Sequence, residues 1–214
     1  MLSRKILRLS WISLLSGILY NSWPLGYWLN NRVARVSLAS GLEAVHQPYN
    51  WLFITTDIIS SVLIVIVCGF LWKLYKDSKS STHILMVLVC VVLFAIGTVV
   101  DALMPEHCVP NLMKCASFTQ DHILLVHGLF SILASVFLFI ALLILCWFRR
   151  KNMLLHILLA GYIVFGLISL AEAVAPGYGG NWSQYYYITL CSVFLVCLPY
   201  GVSLMAVTKK RLTT

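Results

Sequence analysis

The stretch ILLVHGLFSILASVFLFIALLILCWF, residues 123–148, decides the fold class, because a single histidine is its only ionisable residue apart from one cysteine. A run of about 20 apolar residues is long enough to cross the hydrocarbon core of a bilayer as a helix. The stretch lacks the period-2 alternation of a barrel strand, and lipid offers no hydrogen-bond partner to an open backbone. It therefore predicts a transmembrane helix.

Five further stretches on either side have the same character. The chain of 214 residues is 61% hydrophobic and only 10% charged, whereas soluble domains carry about 25% charged residues. This composition excludes a soluble globular protein. We predict an all-α polytopic membrane protein with six transmembrane helices in one bundle, forming a single domain over residues 1–214, with spans at 9–29, 50–72, 83–104, 123–148, 153–175 and 185–207.

The basic residues predict the orientation of these spans. Of the 15 Lys and Arg residues, all but Arg32, Arg35 and Lys114 lie at one side of the predicted spans. The positive-inside rule then places both termini in the cytoplasm and the protein in the plasma membrane. We interpret the net charge of +8 as this topology signal and as contact with anionic inner-leaflet lipid. Membrane lipids are the expected partners, and the sequence contains no motif for binding nucleic acid.

Two features of the predicted outer loops lead to local predictions. Residues 32–45, RVARVSLASGLEAV, mix apolar and polar positions, which suits either a short helix lying on the membrane surface or an irregular loop. Cys108 and Cys115 share the next outer loop, which faces an oxidising compartment, so we predict a disulfide between them. The other five cysteines lie within spans, where we interpret them as small packing residues.

Ionisable residues near the spans hold most of the functional information. Such a group is costly in lipid and usually faces the interior of a helical bundle or a cavity. The predicted topology places all of these residues in the outer third of the membrane. They are Asp57 in the second span, Asp101 at the end of the third, Asp121, His122 and His127 at the start of the fourth, and Glu172 near the end of the fifth.

His127 and Ser131 are four residues apart and so share one face of a helix. The histidine could hold a metal or move a proton, and the serine could orient it or act as the nucleophile. Asp57, Asp101 and His127 could together ligate zinc or another divalent metal. Catalytic candidates are therefore these three residues and Ser131, with Glu172, His122 and Asp121 as secondary candidates. Hydrogen bonding across helices, or ion and proton coupling, would explain the same residues without catalysis.

Three segments together resemble the bacterial six-span membrane family called domain of unknown function 998. They are SLASGLEAVHQPYNWLFITTDIIS (37–60), GTVVDALMPEHCVPNLMKC (97–115) and DHILLVHGLFS (121–131). The resemblance implies the six-span architecture and brings no established activity with it. The positions that match the family pattern are Ser40, Leu42, Gln47, Pro48, Phe53, Asp57, Asp101, Pro105, Cys108, Cys115, His127 and Ser131.

A more distant likeness is to the membrane hydrolases that include alkaline ceramidases and progestin-type receptors, which use an Asp, histidines and a Ser around zinc. This chain has no His-x3-His pair, so their zinc site cannot be transferred to it residue by residue.

Two hypotheses for the function stay open at this point, and the sequence does not decide whether the protein is an enzyme. The first is a metal- or acid/base-dependent hydrolase or transferase that acts on an outer-leaflet lipid or lipid-linked molecule. The second is a non-catalytic membrane protein, such as a complex subunit, a small transporter or an immunity-type protector. A metal site or an acyl-chain-shaped cavity at Asp57, Asp101 and His127 would favour the first, and a packed, dry interior would favour the second.

Overall fold

The computed structural model describes residues 2–36, 39–107, 109, 122–174 and 182–208. Within these ranges the chain contains helices and no strand, so the predicted all-α class is confirmed. Short 3-10 turns occur at Trp23–Leu25 and Ala39–Leu42. The helices are α1 (Leu2–Tyr20), α2 (Gly26–Leu29), α3 (Asn31–Val36), α4 (Asn50–Tyr75), α5 (Ser81–Leu103), α6 (His122–Phe148), α7 (Met153–Val174) and α8 (Trp182–Thr208).

Five of the helices, α4 to α8, are long and apolar enough to cross a membrane. Their ends lie within three residues of the predicted spans, because each helix follows a continuous apolar run whose limits are visible in the sequence. Their outward faces carry exposed Leu, Ile, Val, Phe and Trp side chains. These features support a multi-pass membrane protein.

The prediction that the first span runs from residue 9 to residue 29 is wrong about where its helix ends. α1 stops at Tyr20, and a 3-10 turn at Trp23–Leu25 separates it from the short α2. Pro24 explains the break, because a proline within a helix has no N–H to donate and its ring clashes with the carbonyl four residues earlier. That carbonyl belongs to Tyr20, the last residue of α1.

Five of the six long helices, α1, α4, α5, α6 and α7, pack side by side in that order around the sixth, α8. α1 contacts α4 and α8, and the sequence of contacts then runs from α4 through α5, α6 and α7 back to α8. α8 also contacts α4, α5 and α6. α8 is therefore the central helix, with more of its apolar window buried than any other candidate span.

Small and hydroxyl residues join α1 to the bundle. Ser13 Oγ donates to the Leu195 carbonyl at 2.7 Å, and Ser60 Oγ donates to the Ser16 carbonyl at 2.8 Å. Gly17 allows α8 to approach closely, since a Cβ at this position would lie 2.6 Å from Val196 Cγ2. Contacts of this kind, small residues with hydroxyl hydrogen bonds, are typical of helices that associate within membranes.

Residues 39–45, which we call the cap, cover one end of the bundle, and we call this the capped end. The described parts of the segment predicted to be a surface helix or a loop are the short helix α3 and the cap, and they do not lie on the surface, because Val33, Leu42 and Ala44 are buried. They pack in an apolar cluster around Trp23 and Phe53, whose rings stack with centroids 5.5 Å apart. Burial of these apolar residues draws the segment inward over the ends of α4 and α8.

Candidate functional site

Asp101 and Ser131 meet where α5 packs against α6 at the capped end. Ser131 Oγ donates a hydrogen bond of 2.9 Å to Asp101 Oδ2. One turn away, the two helices approach so closely that a Cβ on Gly97 would lie 2.9 Å from Ala134 Cβ. Gly97 precedes Asp101 by four residues and Ala134 follows Ser131 by three, so this contact fixes the distance across which the hydrogen bond forms.

His127, one turn before Ser131 on α6, lies between two carboxylates. Its Nδ1 atom is 3.1 Å from Asp101 Oδ1, and its Nε2 atom is 3.5 Å from Glu106 Oε1. Nδ1 is also 3.2 Å from the carbonyl oxygens of Asp101 and Met104. Each ring nitrogen therefore faces an acceptor. An imidazolium can donate on both sides, whereas a neutral imidazole can donate from one nitrogen only.

The cap holds Glu106 and brings Glu43 to the same place. Ser40 Oγ donates to Glu106 Oε1 at 3.3 Å, and the Val45 amide donates to the Glu106 carbonyl at 2.8 Å. The Ala39 amide donates to the side-chain oxygen of Gln184, which attaches the cap to α8. Glu43, the next residue after the 3-10 turn, is only 2% exposed.

Glu43 and Asp57 are buried carboxylates with no ion-pair partner among the described residues. Asp57 on α4 is 5% exposed, and neither Asp57 Oδ1 nor Glu43 Oε1 has a hydrogen-bond partner among the described residues. Burial raises the pKa of Glu43 well above its usual range, and the nearby Asp57, Asp101 and Glu106 raise it further. Four carboxylates and one histidine thus converge at the capped end, and they cannot all be ionised at once.

Metal binding by this cluster would depend on how its ligand atoms are arranged. Among the described residues, no three His, Cys, Asp or Glu side chains are arranged to hold a metal ion. His127 Nδ1 already faces oxygen atoms of Asp101 and Met104. The arrangement as it stands is a hydrogen-bonded acid–base cluster, and the zinc site of Asp57, Asp101 and His127 stays a prediction.

Of the remaining predicted site residues, the structure describes the side chain of Glu172. Glu172 on α7 accepts a hydrogen bond from Ser183 Oγ on α8. Asp121, Cys108 and Cys115 lie outside the described residues, as does the side chain of His122. The predicted disulfide is therefore still a prediction. The five described cysteines are free thiols, at positions Cys68, Cys90, Cys146, Cys191 and Cys197.

Glu43 and Glu106 are members of the cluster that the sequence analysis missed. Two signals in the sequence could have indicated them. The chain has only seven acidic residues, so each one near an apolar segment is informative. Glu43 lies between Leu42 and Ala44 in an otherwise weakly polar stretch, which is unusual for a carboxylate in a solvated loop.

Two surface grooves lie at the opposite end of α6 from the cluster, which we call the basic end. One is lined by residues 147–154 at the turn between α6 and α7. The other is lined by residues at the start of α5 and the end of α6. Neither groove touches the carboxylate cluster.

Comparison with known proteins gives a family and no characterised relative. The model of a family described as "Protein of unknown function (DUF998)" matches residues 14–209. This match confirms the resemblance found in the sequence. No match was found among the curated proteins or among the solved structures. The geometry of the cluster itself is therefore what bears on activity.

Proposed function

The chain belongs to the family described as protein of unknown function (DUF998), and we propose that it is a six-span enzyme of the plasma membrane with both termini cytoplasmic. We infer that the capped end faces outward and that the cluster beneath it catalyses acid–base hydrolysis or transfer. The substrate would be a lipid or a lipid-linked molecule of the outer leaflet.

The outward face of α1 supports the sixth span. Leu7, Trp11, Leu15 and Ile18 recur at helical spacing and are all exposed, while Ser13 and Ser16 on the other face are fully buried. A water-facing helix would carry polar residues on its exposed side. The apolar outer face suits contact with lipid, and the buried serines on the inner face can bond to neighbouring helices, as expected for a spanning helix.

The exposure of Asp101 is the single observation that carries the catalytic proposal. The Asp101 side chain is 19% exposed, whereas that of His127, its partner, is 4% exposed. Ser131, the other partner of Asp101, is half-buried. The cluster is therefore most accessible at Asp101, beside the hydrogen bond that joins α5 to α6. A lipid-borne substrate approaching from the side of the bundle would meet Asp101 first.

The hydrogen bonds suggest a role for each residue. Asp101 holds the Nδ1 side of His127 and would stabilise the imidazolium, which leaves Nε2 to exchange the proton. Nε2 would take a proton from the attacking hydroxyl or water and return it to the leaving oxygen. Ser131 donates to Asp101 rather than to His127, so it acts as a positioning residue for the carboxylate. Glu106 Oε1 lies 3.5 Å from Nε2, so the substrate hydroxyl or water would have to take the place of this carboxylate oxygen before Nε2 could exchange the proton.

A divalent metal, zinc for example, is the alternative source of the same chemistry. If it bound, Asp57, Asp101 and His127 would hold it, and it would polarise the group under attack. This arrangement would require His127 to exchange its contacts with Asp101 and Met104 for the metal.

Lipid analysis of membranes tests the proposal. Membranes from cells producing the protein, Asp101→Asn, His127→Ala or Ser131→Ala would be compared by mass spectrometry with membranes from cells without it. We expect a lipid change with the unaltered protein, none with the first two variants, and a reduced change with Ser131→Ala. A chelator that abolishes the change would favour the metal alternative. Identical lipid profiles in all five cell lines, with the proteins present at equal levels, would overturn the proposal.

A small proton-coupled transporter is a second candidate. Glu43 Oε1 and Asp57 Oδ1 support it, because these buried carboxylate oxygens have no hydrogen-bond partner among the described residues and acids inside membrane proteins often mark proton relays. A transporter would leave the lipid composition unchanged, so the same comparison separates the two candidates.

A further inference from the structure

The turn between α6 and α7 at the basic end is held by hydrogen bonds. The Arg149 amide donates to the Leu145 carbonyl at 2.9 Å, and the Asn152 amide donates to the Arg149 carbonyl at 2.7 Å. Asn152 Oδ1 then accepts a 3.1 Å hydrogen bond from the Leu154 amide at the start of α7. The turn therefore presents its side chains from a fixed backbone.

Two grooves meet at this turn. The first is lined by residues 147–154, which include three consecutive basic residues, Arg149, Arg150 and Lys151. The second runs along the helices and is mainly apolar, lined by His83, Met86, Leu143, Ile144, Trp147 and Phe148. Trp147 and Phe148 line both grooves, so a basic groove and an apolar groove share one wall.

The basic groove places positive charge next to an apolar surface. Among the described residues, no carboxylate lies within ion-pair distance of Arg150 or Lys151. The Arg150 guanidinium lies over the Trp147 ring, 4.2 Å from its centroid. This cation–π contact fixes the cation at the edge of the apolar groove. Trp147 is 66% exposed and Met153 is 75% exposed, so apolar surface flanks the cations on the protein's outside.

We propose that this pair of grooves binds one anionic phospholipid, with its phosphate on Arg150 and Lys151 and an acyl chain in the groove between α5 and α6. Basic pockets beside transmembrane helices on the cytoplasmic side are suited to acidic lipid headgroups. A soluble phosphate would satisfy the charge but leave Trp147, Met153 and Met86 uncovered, whereas a phospholipid covers both parts. The inference depends on the proposed orientation, which places this end at the inner leaflet, and it is independent of the proposed catalysis.

Binding of a defined lipid tests the inference. The full-length protein would be purified in a neutral detergent and titrated with phosphatidylglycerol or phosphatidylcholine, with retained lipid counted by native mass spectrometry. We expect one phosphatidylglycerol to be retained in preference to phosphatidylcholine, with thermal stabilisation. The double variant Arg150→Gln/Lys151→Gln should weaken retention by about tenfold or more, since it removes both proposed phosphate contacts.

A matched control separates a site from general attraction between charges. Lys73→Gln/Lys76→Gln removes the same charge from exposed positions at the same end of the bundle, outside both grooves, and should leave retention unchanged. Trp147→Ala tests the shared wall and should weaken retention while keeping every charge. Equal loss in the two double variants would overturn the proposal in favour of diffuse attraction. Displacement of the lipid by millimolar inorganic phosphate would equally overturn it, because the acyl-chain groove would then contribute nothing.

Discussion

Glu43 is a carboxylate of the cap that is 2% exposed and whose Oε1 atom has no hydrogen-bond partner among the described residues. Burial raises its pKa in the folded protein, and neighbouring acids raise it further. The folded state therefore binds this proton more tightly than the unfolded state. The stability from this group is fully present below its usual pKa and is lost as the pH rises through the higher pKa of the folded state.

We predict that Glu43→Gln flattens this fall in stability with pH. Glutamine keeps the shape of the protonated acid and never ionises, so the variant should unfold at a higher temperature than the unaltered protein near neutral pH and at a similar temperature near pH 4. Each kcal/mol of stability corresponds to about 2–4 °C in a protein of this size. Thermal unfolding in detergent from pH 4 to 8 measures the effect. Asp77→Asn, at an exposed acid, is the control, and an equal change there would contradict the prediction.

We make a related prediction for Asp57, in which a substitution keeps or raises thermal stability but lowers activity if Asp57 holds a metal. Its Oδ1 atom is buried without a hydrogen-bond partner among the described residues, and an unsatisfied buried carboxylate destabilises a fold. We expect Asp57→Asn to match or exceed the unaltered protein in thermal stability and, under the metal alternative in which Asp57 is a ligand, to lose the lipid change. A lower unfolding temperature would show instead that Asp57 stabilises the bundle.

At the scale of elements, the close approach of α5 and α6 positions the cluster. A Cβ on Gly97 would lie 2.9 Å from Ala134 Cβ and 3.3 Å from the Phe130 carbonyl oxygen, and neither Ala134 nor the backbone can rotate away. Gly97→Ala must therefore separate the two helices, and overpacking of this kind costs about 1–3 kcal/mol. The separation should also lengthen the hydrogen bond between Ser131 and Asp101 one turn away.

We predict a lower unfolding temperature for Gly97→Ala and the opposite for Gly69→Ala. Gly69 on α4 has no atom within 4 Å of where its Cβ would be, so the same substitution only improves helix propensity there, by about 0.5–1 kcal/mol. Thermal unfolding of the two variants under one condition measures the contrast. Equal unfolding temperatures would contradict the claim that Gly97 sets the distance between α5 and α6.

Elements differ in how well the sequence predicted them, and the reasons are physical. α6 is predicted within one residue because lipid requires an unbroken apolar run, which is visible without tertiary information. The end of α1 was missed although Pro24 marks it, because the sequence stays mainly apolar and aromatic on both sides of this proline, from Trp23 to Trp28. The burial of Glu43 was missed although its apolar neighbours Leu42 and Ala44 indicate it, since the cluster that draws the cap inward contains Trp23, Phe53 and Ile188, which are far apart in the sequence.

For the whole molecule, the position of α1 determines the topology. If α1 spans the membrane with the five helices α4 to α8, both termini lie on one side, and if it does not, they lie on opposite sides. α1 has 19 residues, and at 1.5 Å per residue a helix of this length covers about 28 Å, close to the thickness of the hydrocarbon core. Its basic residues Arg4, Lys5 and Arg8 lie within the first two turns, where long side chains can reach the membrane surface.

We therefore predict that epitope tags at the N-terminus and at the C-terminus are both protected in intact cells and both cleaved by protease after the membrane is opened. A reporter that is active only outside the membrane should be silent when fused after Lys76, Lys151 or Arg211 and active when fused after residue 112. Cleavage of the N-terminal tag alone in intact cells would leave α1 outside the membrane and reduce the protein to five spans. Activity of the reporter after Arg211 would invert the bundle, placing the carboxylate cluster at the inner leaflet and removing the outer-leaflet substrate from the proposed function.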